Sequence, residues 1–279
     1  MKKNAEFLGG KIARELARYD AVVITGASSG IGLGFARAIL DCGLSLKLCN
    51  LSRSFPSELK DRENFLHVPC DLQKDENISE ALSKVFEFIG AGTEKPPRVL
   101  LINNSGFGAY GEFPAPSVSR LCDMVDLNAR AVVRLCGEFS EIIKKGKGSI
   151  VNIASTAAFQ PCPNLAVYAA TKSFVKSFTL GISYEFRRAG CKCLCVCPGP
   201  TSSNFFKAAG FDSPPLPSGF GHQPRDVVLA ALRALARDDI LKVVGFSNSL
   251  LALLSRFAPT RVIVYGAGEI LRRIRSAAC

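Results

Sequence analysis

Histidine is scarce in this 279-residue chain: only His67 and His222 occur, and neither stands in an H-E-x-x-H arrangement. With so few imidazoles, no metal site is expected. No stretch is dense in Lys and Arg with interleaved aromatics, so the net charge of +11 reads as a basic surface attracting anionic ligands, not as a nucleic-acid groove. Low-complexity sequence is nearly absent. The N-terminus, MKKNAEFLGGKIARELARYD, has basic residues but no continuous apolar run, which argues against a secretory leader. In the C-terminal tail the longest charge-free stretch runs from Val243 to Ser255, too short for a spanning helix of about 20 residues.

The chain is instead rich in apolar residues, at 48%, and in cysteine, with eleven. An odd number of thiols scattered through apolar strands argues against a disulfide framework and for a reducing, cytoplasmic setting. Cys191, Cys193, Cys195 and Cys197 alternate along one apolar run. They share one face of a strand at a spacing of roughly 7 Å, which suits small buried residues better than tetrahedral metal ligands.

Residues 149–172 organise the rest. Ser149 to Ala154 reads as a buried strand with Ser155 at its C-terminal end. A loop with Pro161 and Pro163 leads into a helix that carries Tyr168 and Lys172, four apart and therefore on one face. A phenol of pKa about 10 is a poor catalyst at neutral pH unless a nearby ammonium stabilises its anion. The Ser155 hydroxyl is suited to hydrogen-bond a carbonyl oxygen and its developing charge. Upstream, the apolar run Ala21–Thr25 is followed by TGASSGIG at 25–32 and a helical stretch from Leu33 to Cys42. In this strand–turn–helix context Gly26 permits the tight turn, Gly30 the approach of a pyrophosphate, and Gly32 the packing of helix on strand.

TGASSGIG, NNSG at 103–106, Ser155, Tyr168 and Lys172 together resemble the short-chain dehydrogenase/reductase family over about residues 20–240, and the tail with GFGAYGEF resembles its DltE-like branch. The resemblance implies an α/β fold: a single Rossmann-type doubly wound parallel sheet flanked by helices on both faces. It implies hydride transfer between a nicotinamide cofactor and a carbonyl or alcohol substrate. Tyr168 would be the proton donor, Lys172 its tuner and a ribose ligand, Ser155 the carbonyl polariser, and Asn128, bending the long helix expected over Ser117–Lys145, a support for proton relay. Ordinary core-packing or exposed roles remain the alternatives.

On the cofactor side the resemblance implies Gly26, Ser28, Ser29, Gly30, Ile31, Gly32, Asp71, Leu72, Asn104, Gly106, Tyr168, Lys172, Pro198, Gly199 and Thr201, with Ser203 as a further candidate; Asn103 and Gly106 take cofactor-side and sheet-bracing places. Asp71 either flanks the adenine or caps the next helix, and both can hold. The second strand, Leu44–Leu51, ends in Ser52 and Arg53, with no acid before Glu58. A hydroxyl and a guanidinium suit a ribose 2′-phosphate, so NADP(H) is expected in preference to NAD(H), unless Arg53 lies past the pocket.

Further strands are expected at Phe65–Val68, Val99–Ile102, Cys191–Cys197 and Ile240–Val244, and helices over 77–90, from near Val167, and over Arg225–Arg237. Residues 1–20 form an N-terminal arm, with a short amphipathic helix over 6–19, and 21–245 the catalytic domain. A substrate lid spans about 204–224, and 246–279 form a helical extension. The lid composition suggests an apolar substrate, an acyl chain or ring ketone, although lid phenylalanines read as often as packing; the 107–113 loop either lines the substrate pocket or packs over the sheet edge. Arginines beside leucines in the extension fit peripheral membrane contact. A homodimer or homotetramer follows from the resemblance alone. Two other readings stay open: a non-catalytic NADP-binding regulatory protein, and a membrane-peripheral protein acting through its tail.

Overall fold

The computed structural model describes residues 10–60, 62, 64–203, 205, 209–210, 221–255 and 257–276, without the side chains of 271 and 273–276. Of the expected N-terminal helix, residues 6–9 fall outside that set, as do 204, 206–208 and 211–220 of the expected lid.

Seven short runs, rich in Val, Ile, Leu and Cys, become strands: β1 (Ala21–Thr25), β2 (Lys47–Ser52), β3 (Phe65–Pro69), β4 (Val99–Asn103), β5 (Ser149–Ile153), β6 (Lys192–Cys197) and β7 (Leu241–Val243). They pair in the order β3-β2-β1-β4-β5-β6-β7, every pair parallel. Parallel neighbours need crossovers, and helices supply them. The first, α1, covers residues 10–16. The others are α2 (Gly30–Asp41), α3 (Asp75–Ile89), α4 (Val118–Val125), α5 (Ala131–Gly146), α6 (Ala166–Arg188), α7 (Pro224–Ala236), α8 (Phe246–Leu254) and α9 (Thr260–Ser276).

Because strand side chains alternate, each buried strand feeds two cores. Val23, Leu101 and Ile150 join α3, α5 and α6 in one layer, together with seven cysteines that include Cys191, Cys193, Cys195 and Cys197. Val22, Ile24, Leu100 and Val151 join α1, α2 and α7 in the other. The sheet is thus doubly wound, with helices on both faces. Along β6 the thiols do share one face, but the spacing assumed from the backbone is too wide at one step. Cys195 and Cys197 lean together, with their sulfurs 3.8 Å apart.

Three further differences from the expected elements have local causes. β2 begins at Lys47, three residues late, because the chain is still turning after Gly43, whose φ is +66°. Helix α7 begins at Pro224, with Gln223 and Asp226 forming a capping box, so the expected lid closes before that residue. The long helix expected over Ser117–Lys145 is interrupted: α4 and α5 are joined by a π-helical turn, Asp126–Arg130, with Asn128 buried inside it. Extra residues of this kind occur where a side chain must be re-aimed.

At the end of the sheet away from the strand C-termini, α1 is held by a buried polar network. Tyr19 donates to Glu15 Oε1 at 2.8 Å and hydrogen-bonds Ser149 Oγ at 2.7 Å. Glu15 Oε2 in turn pairs with Lys192 Nζ at 2.8 Å. This leaves the opposite end free for chemistry. The order reverses between β1 and β4, and in such sheets the crevice beyond the strand C-termini at that point is where ligands bind.

Candidate active site

Thr25 closes β1 and organises that crevice. Its Oγ1 accepts the backbone N–H groups of Asn104 and Ser105, each at 2.9 Å, which joins the ends of β1 and β4. Asn104 returns the favour through Nδ2, donating to the carbonyls of Thr25 at 3.0 Å and Gly26 at 3.3 Å. From β2, Asn50 Oδ1 accepts from Ala27 N–H at 2.9 Å, so the glycine turn is braced from both neighbouring strands. Thr25 opens the TGASSGIG motif but has no expected role of its own there, and Asn50 belongs to no motif. The signal each carried was a polar residue in an apolar, buried strand.

The turn itself needs its glycines. Gly26 has φ +71° and Gly30 φ +56°, backbone that L side chains rarely adopt. A Cβ on Gly32 would lie 2.3 Å from the Gly26 carbonyl oxygen and 2.5 Å from Asn104 Nδ2. Gly32 therefore acts by close packing. It does not line the cleft, whereas Gly26, Ser28, Ser29, Gly30 and Ile31 do. Ser29 is the N-cap residue of α2 but makes no capping bond with its side chain, so it leaves the first N–H groups of the helix to an anionic ligand.

A cleft of about 640 Å³ runs from this turn along the strand ends. Ser52, Arg53 and Ser54 border it beyond β2; Asp71, Leu72 and Gln73 beyond β3; Asn104 and Gly106 beyond β4; and Pro198, Gly199, Thr201 and Ser203 beyond β6. Asp71 accepts from Gln73 N–H at 3.2 Å, and the N-cap of α3 is Lys74, so Asp71 makes a turn there and does not cap the helix. A glycine-lined turn at a bare helix N-terminus, a carboxylate at one neighbouring strand end and a guanidinium at another form a donor set that fits a dinucleotide.

Asn103 lies elsewhere. It is buried between β4, β5 and α5, where its Nδ2 donates to Asn152 Oδ1 at 2.8 Å and to Cys136 Sγ at 3.3 Å. Of the two neighbours it is Asn104, not Asn103, that lines the cleft.

Ser155, Tyr168 and Lys172 converge at the other end of the cleft. Ser155 follows β5 in extended backbone and accepts from Ala157 N–H at 3.1 Å. Its side chain is also hydrogen-bonded to that of Tyr168. Lys172 donates from Nζ to the Ile153 carbonyl at 3.0 Å and lies 5.9 Å from the centre of the Tyr168 ring. The electrostatics differ from the expected tuning. Burial pushes Tyr168 up to about 12, the Ser155 hydrogen bond opposing it and the Cys162 and Cys197 thiols adding to it. Burial likewise pulls Lys172 down to about 8. Desolvation dominates both shifts, and the phenol keeps its proton at neutral pH.

Asn128 does not line the cleft. Its Oδ1 accepts from Phe107 N–H at 3.0 Å, and its Nδ2 donates to the Phe107 carbonyl at 2.9 Å and to Thr171 Oγ1 at 3.2 Å. Through these bonds the amide holds the loop after β4 against α6.

Around Tyr168 the lining is apolar. Ala109, Leu121 and Met124 are buried with it, and Phe107, Leu165 and Phe205 pack alongside. The Phe205 ring tilts over Tyr168 at 5.2 Å between centres, and it fits because residue 108 is glycine: a Cβ there would come within 2.7 Å of its ring. Two of these residues come from the 107–113 loop and one from the expected lid. The lid's ends are tied by a Thr201–His222 bridge.

The comparisons agree with this geometry. The family model described as short chain dehydrogenase matches residues 20–212. A protein of Bacillus subtilis named uncharacterized oxidoreductase DltE is 32% identical over 172 residues, which cover 60% of this chain and 66% of that one. An uncharacterized oxidoreductase of Staphylococcus epidermidis is 27% identical over 192 residues, 68% of this chain and 81% of its own. Among solved structures, a short-chain dehydrogenase from Sphingobium yanoikuyae in complex with NADPH superposes with a TM-score of 0.71 at 26% identity, covering 85% of this chain and 93% of that one. Taken with a parallel sheet whose strand ends gather the glycine turn, Ser155, Tyr168 and Lys172, the match over most of the chain makes this protein an oxidoreductase of the short-chain dehydrogenase/reductase family.

Proposed function

We propose that the chain is an NADP(H)-dependent oxidoreductase that interconverts an apolar carbonyl compound and its alcohol. The observation that carries the reading is the convergence of Ser155, Tyr168 and Lys172 beneath an apolar wall of Phe107, Leu121, Leu165 and Phe205. When bound, the nicotinamide cofactor supplies or accepts the hydride. Tyr168, protonated at neutral pH, gives its proton to the carbonyl oxygen during reduction and recovers one from the alcohol in reverse. The Ser155 hydroxyl holds that oxygen against Tyr168. Lys172, with a pKa of about 8, can hold or release a proton near working pH beside the phenol. Phe205 and the 107–113 loop exclude water and favour a substrate without charge at the reacting end.

Arg53 and Ser54 at the cleft edge support NADP(H) over NAD(H). The first acid after β2, Glu58, is engaged by Arg37, which donates to it at 2.8 Å, so it competes poorly for a ribose hydroxyl. Exposed Val118, Val125 and Val133 on α4 and α5, with Phe174 and Tyr184 on α6, support a homo-oligomer, and thiols buried in the core support a reducing cytosol.

Titration by nucleotide fluorescence, NADPH against NADH, tests the cofactor. NADPH should bind more tightly and Arg53→Ala should erase the difference; a preference for NADH would refute the assignment of Arg53. With an apolar ketone as substrate, Tyr168→Phe should keep NADPH affinity and lower turnover by about a hundredfold or more. Turnover close to wild type would refute the mechanism, and binding of neither nucleotide would favour a non-enzymatic protein.

A further inference from the structure

α8 and α9 invert the usual arrangement of a surface helix. They meet the body of the protein through small and polar residues. Ala252 and Ala267 are buried, Ser255 Oγ donates to the Phe159 carbonyl at 3.3 Å, and the position a Cβ would take on Gly268 lies 3.2 Å from Pro163 Cγ. Their large apolar side chains, and that of Phe257 between them, point outward. Phe246 is 86% exposed, Leu251 63%, Phe257 79% and Tyr265 77%. On α8, Phe246, Leu250 and Leu254 recur at i, i+4 and i+8, a single stripe. A soluble monomer rarely leaves so contiguous an apolar surface in water.

The charges beside this surface are predominantly positive. From residue 246 to the C-terminus there are five arginines and one acid. The acid, Glu269, is held by Arg272 at 2.8 Å and 2.9 Å. On α9, Arg261, Tyr265 and Arg272 fall at i, i+4 and i+11, which puts cations along the margin of the apolar face. A two-fold contact between copies would bring two such positively charged patches together. A negatively charged, apolar-cored surface satisfies both features. With nine residues, α8 can lie in such a surface but not cross it, and no described helix is long and apolar enough to span a bilayer.

We propose that α8 and α9 form a docking face for an anionic lipid bilayer. They rest on the segment from Phe159 to Pro163, and the adjoining Ala157, Cys162 and Leu165 line the active-site cleft. Docking would therefore bring the segment that forms one wall of the cleft close to the lipid. The docking itself does not depend on what the cleft does, and it is read without turnover.

Flotation of the full chain with vesicles of phosphatidylcholine alone, or with about a third phosphatidylserine, tests it. The protein should float with the anionic vesicles, about tenfold more weakly in high salt. The pair Leu251→Asp and Phe257→Asp should abolish flotation, and Arg261→Glu with Arg272→Glu should lower it about tenfold or more, while NADPH affinity stays at the wild-type value. Three results would overturn the proposal: no flotation, equal flotation with both vesicles, or a wild-type oligomer that the Asp variants dissociate without any vesicle binding. The last would assign the face to a second copy of the chain.

Discussion

Lys172 is a buried ammonium that the fold holds at a loss, and replacing it should show how large the loss is. Its ammonium is buried behind Tyr168, and the pKa falls from 10.5 to about 8 because burial penalises the charge. That fall corresponds to about 3 kcal/mol against the charged side chain. Between those two pH values the unfolded chain holds a proton that the native protein has lost. Wild-type stability therefore rises with pH across this window, and below about 8 the native protein carries the whole cost. Lys172→Met removes the charge at nearly constant volume and forfeits the 3.0 Å bond to the Ile153 carbonyl, worth about 1 kcal/mol. The variant should thus be about 1–2 kcal/mol more stable than wild type near pH 7, and inactive. Urea unfolding of both proteins at several pH values is the assay. The difference between them isolates Lys172, because the raised tyrosine and cysteine groups titrate in both. By about pH 9.5 that difference should have moved roughly 2 kcal/mol in favour of the wild type, reversing or erasing the variant's advantage. A difference that stays flat with pH would refute the reasoning, as would a variant less stable than wild type near pH 7.

Gly32→Ala puts a methyl carbon 2.3 Å from the Gly26 carbonyl oxygen, which cannot yield without opening the glycine turn. It should cost about 1–3 kcal/mol in urea unfolding and weaken NADPH binding, whereas Gly34→Ala, whose Cβ meets Val228 Cγ2 at 3.2 Å, should do much less to either. Equal behaviour of the two variants would remove Gly32 from the cradle. Asn128→Leu strands the N–H and carbonyl of Phe107, and should cost about 2 kcal/mol or more and raise KM by loosening the 107–113 loop. An unchanged KM in a well-folded variant would mean that the loop is held by other contacts.

What could be read from the chain was chemistry confined to short spans. Tyr168 and Lys172 are brought together by the helix they share, and the glycines of 26–32 act on the turn that contains them, so spacing alone places them. Asn128 acts on Phe107, 21 residues away, and Asn50 on Ala27, 23 away, through packing that no local pattern records. The direction of the Tyr168 shift was beyond reach for a related reason. An ammonium four residues on lowers a phenol's pKa in water, but how deeply both groups are buried is decided by Phe205, Leu121 and Met124, which come from other elements. The C-terminal helices show the limit most sharply. An apolar stripe on a helix has the same period whether it meets a core, a second chain or a lipid surface. In α8 and α9 the side that meets the body is settled by Ala252, Ser255, Ala267 and Gly268. Small residues there leave the leucines and phenylalanines no protein surface to cover, and that packing turns an ambiguous pattern into an outward-facing one.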